Sequence, residues 1–179
     1  FTFIEKMLDK NSEFWASFTS FHQKLADFGI VNSLSQLCLK CTSPGIPDVY
    51  QGTELWDLTL VDPDNRQQVD YDLRWNWLNE LEKMDASQIL PQLWEDRYSG
   101  KIKLWFTWQL LQLRKEFSEL FEQGQYLPLE IEGKYNKNVL AFSRHYKNQW
   151  AIIAVPLHLA RLCGFEQTSL HEFDWKDTR

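Results

Sequence analysis

One segment in the first half of the chain, residues 42–66, constrains the fold more than any other. A short apolar stretch at residues 46–50 is bounded by prolines and glycines, and at Gln51 it opens into a loop with several carboxylates, a tryptophan and an arginine. Polar groups collect in this way where a buried parallel strand reaches the mouth of an α/β barrel. The sequence therefore predicts a β-strand over residues 46–50 and a long, ordered loop over residues 51–69.

The side chains of this loop suit a polyhydroxylated ligand, which means a sugar. Ionised Asp and Glu accept hydrogen bonds, and Arg offers a planar fork of donors. Trp offers a flat apolar face on which a sugar ring can stack. The candidate substrate-binding residues are Gln51, Glu54, Trp56, Asp57, Asp62, Asp64, Asn65 and Arg66.

Each of these residues also has a structural interpretation, which the sequence leaves open. Arg66 could form an ion pair with a neighbouring aspartate and stiffen the loop, or it could reach a sugar hydroxyl. Glu54 and Asp57 could contact substrate or only shape the rim of the cavity. For Trp56, a buried anchor competes with stacking on a sugar ring.

Composition excludes several kinds of partner. The net charge of −6 argues against nucleic acid, because phosphate binding needs a basic surface. No apolar stretch approaches the length of a membrane span, so no membrane partner is expected. Nine Trp and twelve Phe in 179 residues indicate a large aromatic core, with one or two Trp left as possible sugar platforms.

The three cysteines predict neither a disulfide framework nor a metal site. Cys38 and Cys41 have a spacing known from zinc sites, but no second pair of Cys or His stands at ligand spacing. Together with Cys163 they are interpreted as reduced thiols, which fits a reducing, cytoplasmic location.

Hydrophobic spacing predicts mostly helices, followed by three strands. A first helix is expected from residue 14 until Gly29 ends it, and a second over residues 30–41. Further helices are predicted over residues 71–84, 87–98, 102–117 and 118–123, and strands over residues 126–131, 139–145 and 150–155. This pattern divides the chain into a mostly helical part, residues 1–124, and a truncated β-domain, residues 125–179.

Several motifs give the chain a resemblance to a known family. The pattern Gly45-x-Pro47 followed by Tyr50-Gln51-Gly52-x-Glu54 resembles the eighth-strand signature of the α-amylase superfamily. The blocks at residues 52–57, 61–66 and 100–105 are similar to one branch of it, the maltooligosyltrehalose synthases. The resemblance extends over residues 14–175, nearly the whole chain.

The resemblance implies an α+β fold class, with the last strand and flanking helices of a (β/α)8 barrel followed by a small antiparallel C-terminal β-domain. It implies a parent enzyme that needs no cofactor and converts the reducing-end α-1,4 linkage of a maltooligosaccharide into an α,α-1,1 linkage. By motif order the catalytic carboxylates would precede Phe1, so no catalytic residue is assigned and the chain alone is expected to be inactive.

Other functions stay open at this point. An α-amylase-type glucan hydrolase shares the short strand motif, and a non-catalytic carbohydrate-binding module would also use exposed tryptophans. A helical interaction domain without a sugar ligand would leave the acidic loop unexplained.

The predicted barrel strand poses a physical problem, because such a strand is buried on both faces and paired on both edges. We therefore expect residues 46–50 to be covered by helices, or the chain to self-associate through this region.

Overall fold

The computed structural model describes residues 2–60, 66–164 and 173–179. The chain divides into two compact units, one of residues 1–35, 130–141 and 154–179 and the other of residues 36–129 and 142–153. The candidate loop lies in the second unit, which is therefore described more fully.

The described residues form mostly helices and one small sheet. The α-helices are α1 (Thr2–Met7), α2 (Glu13–Thr42), α3 (Tyr71–Leu81), α4 (Ala86–Glu95), α5 (Lys101–Glu116), α6 (Ser118–Gln123) and α7 (Leu159–Cys163). The strands are β1 (Gln125–Pro128), β2 (Val139–Tyr146) and β3 (Gln149–Pro156). Short 3₁₀ turns occupy Arg97–Ser99 and Asn136–Asn138. No helix in the described ranges combines the length and the apolar character that a membrane span requires.

The prediction of two helices separated at Gly29 is wrong. Helix α2 is a single helix of 30 residues that runs through this glycine. The neighbours Phe28 and Ile30 are both buried, so packing on either side of Gly29 holds the helical backbone in place. A glycine inside a helix costs only about 1 kcal/mol relative to alanine, which tertiary packing can outweigh.

This arrangement makes Gly29 a site where a substitution should stabilise the chain. An added Cβ would meet nothing within 4 Å, so alanine introduces no clash. We expect Gly29→Ala to raise the free energy of unfolding by about 0.5–1 kcal/mol, because alanine loses less backbone entropy on folding. Urea unfolding followed by circular dichroism would measure the change, and a lower stability would contradict it.

The predicted strand over residues 46–50 is absent, and this prediction was wrong. The segment has no regular secondary structure, and the Ile46 side chain is 95% exposed. A parallel strand needs partners for its backbone hydrogen bonds, and the only sheet in the described residues is formed by β1, β2 and β3. The expectation that helices would cover the segment is also wrong for Ile46, whereas self-association stays a prediction.

Helices α3 to α6 lie within a few residues of their predicted bounds. Two of them begin at aspartates that accept a backbone N–H bond: Asp70 from Leu73 (2.9 Å) and Asp85 from Ser87 (2.8 Å). The buried residues of α5 are Ile102, Leu104, Trp105, Thr107 and Leu110.

The three predicted strands form one sheet of order β1-β2-β3. Strand β1 pairs antiparallel with β2, with Gln125 opposite His145 and Pro128 opposite Phe142. It ends at Pro128, earlier than predicted, since proline has no N–H to donate to a ladder.

A buried arginine joins three segments of the second unit. Arg144, on β2, is only 1% exposed and donates to the carbonyls of Thr42 (3.0 Å), Phe121 (2.9 Å) and Gly124 (2.8 Å). These carbonyls lie at the C-terminal ends of α2 and α6, where the last carbonyls lack partners and the helix dipole is negative. Burial lowers the pKa of Arg144, and the charge of Arg114 lowers it further.

Arg114, near the end of α5, binds the same end of α2. Its guanidinium donates to the carbonyls of Cys41 (2.8 Å) and Gly45 (2.9 Å). Cys41 itself packs with Leu37 and Leu110 in the apolar core. The two arginines therefore fix the point where α2 leads into the candidate loop.

Candidate functional site

The structure describes five of the eight candidate residues. Asp62, Asp64 and Asn65 lie outside the described residues, so their roles stay predictions. Gln51 and Arg66 are exposed. An ion pair of Arg66 would involve these aspartates, so both interpretations of Arg66 stay predictions.

The loop begins with a tight turn. The backbone N–H and the hydroxyl of Thr53 both donate to the carbonyl of Tyr50, at 3.1 and 2.6 Å. Gly52 has a φ of +90°, a conformation that favours glycine, and an added Cβ would lie 3.3 Å from the Val69 side chain. Gly52 therefore permits the tight turn through which the chain passes from Tyr50 to Glu54.

Glu54 is held by an arginine from helix α3. The Nε of Arg74 lies 3.1 Å from Oε2 of Glu54, and the two side chains are only 15% and 22% exposed. Arg74 also donates to the carbonyls of Gly52 (3.1 Å) and Asp70 (2.8 Å). The Glu54 carboxylate is thus engaged within the protein, which favours the rim-shaping interpretation over direct contact with a sugar.

Trp56 is anchored by its indole nitrogen. Its Nε1–H donates to the carbonyl of Arg97 at 2.7 Å, and the ring is partly buried. Gly100 lies against the backbone of this residue, since a Cβ there would be 3.1 Å from the Trp56 backbone nitrogen. These contacts favour the buried-anchor interpretation of Trp56.

A lysine from helix α5 contacts the same stretch. The Lys103 ammonium donates to the carbonyl of Leu55 at 3.0 Å and lies 5.4 Å from the centroid of the Trp56 ring. Burial is the main cause that lowers the pKa of Lys103, and the charge of Lys40 adds to it. The carboxylates of Asp57 and Glu54 oppose that shift.

Asp57 is the most accessible acid of this stretch. Its Oδ1 accepts from the hydroxyl of Thr59 (2.7 Å) and from the Thr59 backbone N–H (3.0 Å). These bonds, the hydroxyl bond first, lower the pKa of Asp57, so it is ionised at neutral pH. Because both bonds fall on Oδ1, Oδ2 remains an acceptor for a ligand hydroxyl.

A polar pocket lies along the last part of the loop. It has a volume of about 520 Å³ and is lined by residues 68–72. Pockets of a few hundred cubic ångströms hold small ligands. The Asp70 carboxylate in its wall is used as the N-cap of α3.

The residues that hold the loop were not among the candidates. Arg74 is 20 residues from Glu54 in sequence and Lys103 is 48 from Leu55, so no local pattern links them. Lys103 does lie within the block at residues 100–105 that carries part of the resemblance, and this block could have indicated it. Arg74 has no comparable signal.

Comparisons with known proteins identify the proteins that this chain resembles. No protein-family model matches the chain. A Mycobacterium tuberculosis protein named as a maltooligosyl trehalose synthase is 37% identical over 150 residues, which is 82% of this chain and 17% of that protein.

Solved structures give the same result. A crystal structure of maltooligosyl trehalose synthase matches with a TM-score of 0.72 and 35% identity, over 86% of this chain and 19% of that one. The maltooligosyltrehalose synthase of Arthrobacter ramosus matches with a TM-score of 0.68 and 27% identity, over 88% and 19% of the two chains.

The chain spans 17% of the length of the curated relative and 19% of the solved structures. Over the matched residues the agreement holds in sequence and in fold. The resemblance drawn from the motifs is therefore confirmed, and the chain matches a segment of the maltooligosyl trehalose synthase family.

Proposed function

We propose that the chain is the C-terminal part of an enzyme that converts the reducing-end α-1,4 linkage of a maltooligosaccharide into an α,α-1,1 trehalose linkage. The observation that carries the proposal is the 37% identity to a protein named for this activity, over 82% of the chain. The ordered acidic and aromatic loop at residues 50–60 supports it, because such side chains suit sugar hydroxyls and ring faces.

The proposed chemistry is an intramolecular glycosyl transfer with two displacements. A carboxylate attacks the anomeric carbon at the terminal linkage, while an acid protonates the departing 4-oxygen. The freed glucose turns in the cavity, and its anomeric hydroxyl, deprotonated by the same acid–base group, attacks the covalent intermediate. We place these carboxylates in the part of the enzyme outside this chain, so no catalytic residue is assigned here.

The part left to this chain is to shape the cavity and exclude water. Water that reached the covalent intermediate would hydrolyse it. A loop held by Arg74 and Lys103 keeps one conformation and can present Asp57 to a substrate hydroxyl. In this proposal the reaction uses neither a metal nor an organic cofactor.

We also propose that residues 46–50 form the last strand of a (β/α)8 barrel when the neighbouring strands are present. The side chain of Ile46, exposed to 95%, would then gain an apolar environment. The three free cysteines, Cys38, Cys41 and Cys163, suit a cytoplasmic enzyme.

Product analysis of a full-length enzyme that carries this chain would test the proposed function. Incubation with maltopentaose should remove reducing ends without releasing glucose, and NMR should show a new α,α-1,1 linkage. Additional reducing ends would instead indicate an α-amylase-type hydrolase and overturn the proposal. Substrate incubated without enzyme serves as the control.

Calorimetric titration of the 179-residue chain itself with maltopentaose addresses the other alternative. A carbohydrate-binding module should bind the sugar without the rest of the enzyme. If the chain is one wall of a larger cavity, as we propose, binding should be too weak to measure. Tight binding by the chain alone would favour the module.

A further inference from the structure

We propose that Lys103 is a positioning residue that holds residues 54–57, called the acidic segment here, so that Asp57 faces the substrate. This inference rests on the proposed function. It assigns different roles to Glu54, Trp56 and Asp57, which the sequence alone gives only as candidate substrate-binding residues. It also adds a residue from helix α5 that was not among the candidates.

The geometry of Lys103 is the first argument. Its ammonium donates to the carbonyl of Leu55 and lies over the indole of Trp56. The charges of Asp57 and Glu54 both act on it. A single cation on the first turn of α5 therefore acts on four successive residues of the loop.

The burial of Lys103 is the second argument. A partly buried ammonium is costly unless it has partners, so its partners must be fixed as well. Here these are one neutral carbonyl at 3.0 Å and one ring face at 5.4 Å. A solvent-exposed lysine would gain little free energy from these two contacts. The partly buried Lys103 depends on them, and its bond to the carbonyl restrains the backbone at Leu55.

The distribution of the other polar groups is the third argument. Glu54 accepts a hydrogen bond from Arg74, and the indole N–H of Trp56 donates to the Arg97 carbonyl. The Glu54 side chain is only 22% exposed and binds Arg74 through Oε2, whereas Asp57 is exposed and accepts both of its bonds on Oδ1. Contacts of Lys103 with Leu55 and Trp56 thus fix the backbone next to Asp57, the exposed acid of the segment, whose Oδ2 can accept from a hydroxyl.

The test uses Lys103→Met in a full-length enzyme, with maltopentaose as substrate. Methionine keeps the length of the stem but removes the donor. We expect KM to rise about tenfold with kcat changed less than about threefold, since the lost interaction acts on substrate binding. Lys103→Arg keeps a donor and a cation, and it should restore KM to within about threefold of the wild type.

Lys101→Met is the matched control. Lys101 lies on the same turn of α5, and its ammonium is 4.9 Å from the Trp77 ring and 3.5 Å from Asp96. It differs in that its contacts with Asp96 and Trp77 lie outside the acidic segment. Its KM should therefore equal that of the wild type.

Three results would overturn the inference. An unchanged KM in Lys103→Met would do so, and so would a fall in kcat alone, which indicates loss of folded enzyme. The third is an equal rise of KM in Lys101→Met. If the wild-type enzyme does not convert maltopentaose at all, the proposed function fails instead, and the two failures are thereby distinguished.

Discussion

Replacing Arg144 by methionine is expected to lower the free energy of unfolding of the chain by about 3 kcal/mol. The guanidinium is 1% exposed and serves the carbonyls of Thr42, Phe121 and Gly124. Methionine fills much of the same volume but leaves these three acceptors without their donor, and a buried polar group without a partner costs about 1–3 kcal/mol. Urea unfolding followed by circular dichroism would measure the loss.

Two further variants test whether the loss of stability comes from the buried guanidinium. Arg144→Lys keeps the charge, but one ammonium cannot reproduce a planar fork over three carbonyls, so most of the loss should remain. Lys147→Met removes a cation from the end of the same strand, where the pair with Glu119 is exposed. Such surface pairs contribute about 0–1 kcal/mol. A stability of Arg144→Met within 1 kcal/mol of the wild type would show that the buried arginine does not hold these helix ends.

Substitution of Gly124 by alanine should cost about 2–3 kcal/mol. A Cβ at this position would lie 2.1 Å from the Leu120 carbonyl oxygen, closer than any real contact allows. The backbone itself is extended, with φ −65° and ψ 145°, so the cost comes from this clash and not from a left-handed conformation. To relieve it, either Leu120 or residue 124, whose own carbonyl accepts from Arg144, must shift.

The natural control is Gly29→Ala, which makes the same chemical change where an added Cβ would meet open space. The two alanine variants should therefore change the free energy of unfolding in opposite directions. If Gly124→Ala were as stable as the wild type, the close approach between residue 124 and the Leu120 carbonyl would be wrong.

The helices of the second unit were predictable because their signals are local. The spacing of apolar residues located α5 to within one residue at each end, and α6 was predicted at its observed bounds. The three strands followed from turns between apolar runs, with small shifts at their ends. Such patterns reflect short-range backbone geometry, which the sequence carries directly.

Two features were not predictable from local signals. Gly29 indicated the end of a helix, but burial of Phe28 and Ile30 keeps α2 continuous. Residues 46–50 have the composition of a strand, yet a strand exists only with partners, and within the described chain they have none. In both cases contacts with distant residues decide the conformation.

The candidate site also combines features that the local sequence predicts with features that depend on distant residues. The turn at Gly52 and the acidic character of the segment could be read from the sequence, since each depends on neighbouring residues. The partners that select among the alternatives, Arg74 for Glu54 and Lys103 for Leu55, come from helices far along the chain. Arg144 was not indicated either, because a charged residue within a strand gives no sign that helix ends will surround it.

The most direct test of the account is a crystal structure of a full-length enzyme that carries this chain, with a maltooligosaccharide bound. The account predicts that a sugar hydroxyl lies within hydrogen-bond distance of Oδ2 of Asp57, while Glu54 stays bound to Arg74 and Leu55 to Lys103. A saccharide bound at a distance from residues 54–57, with Asp57 facing only solvent, would contradict it.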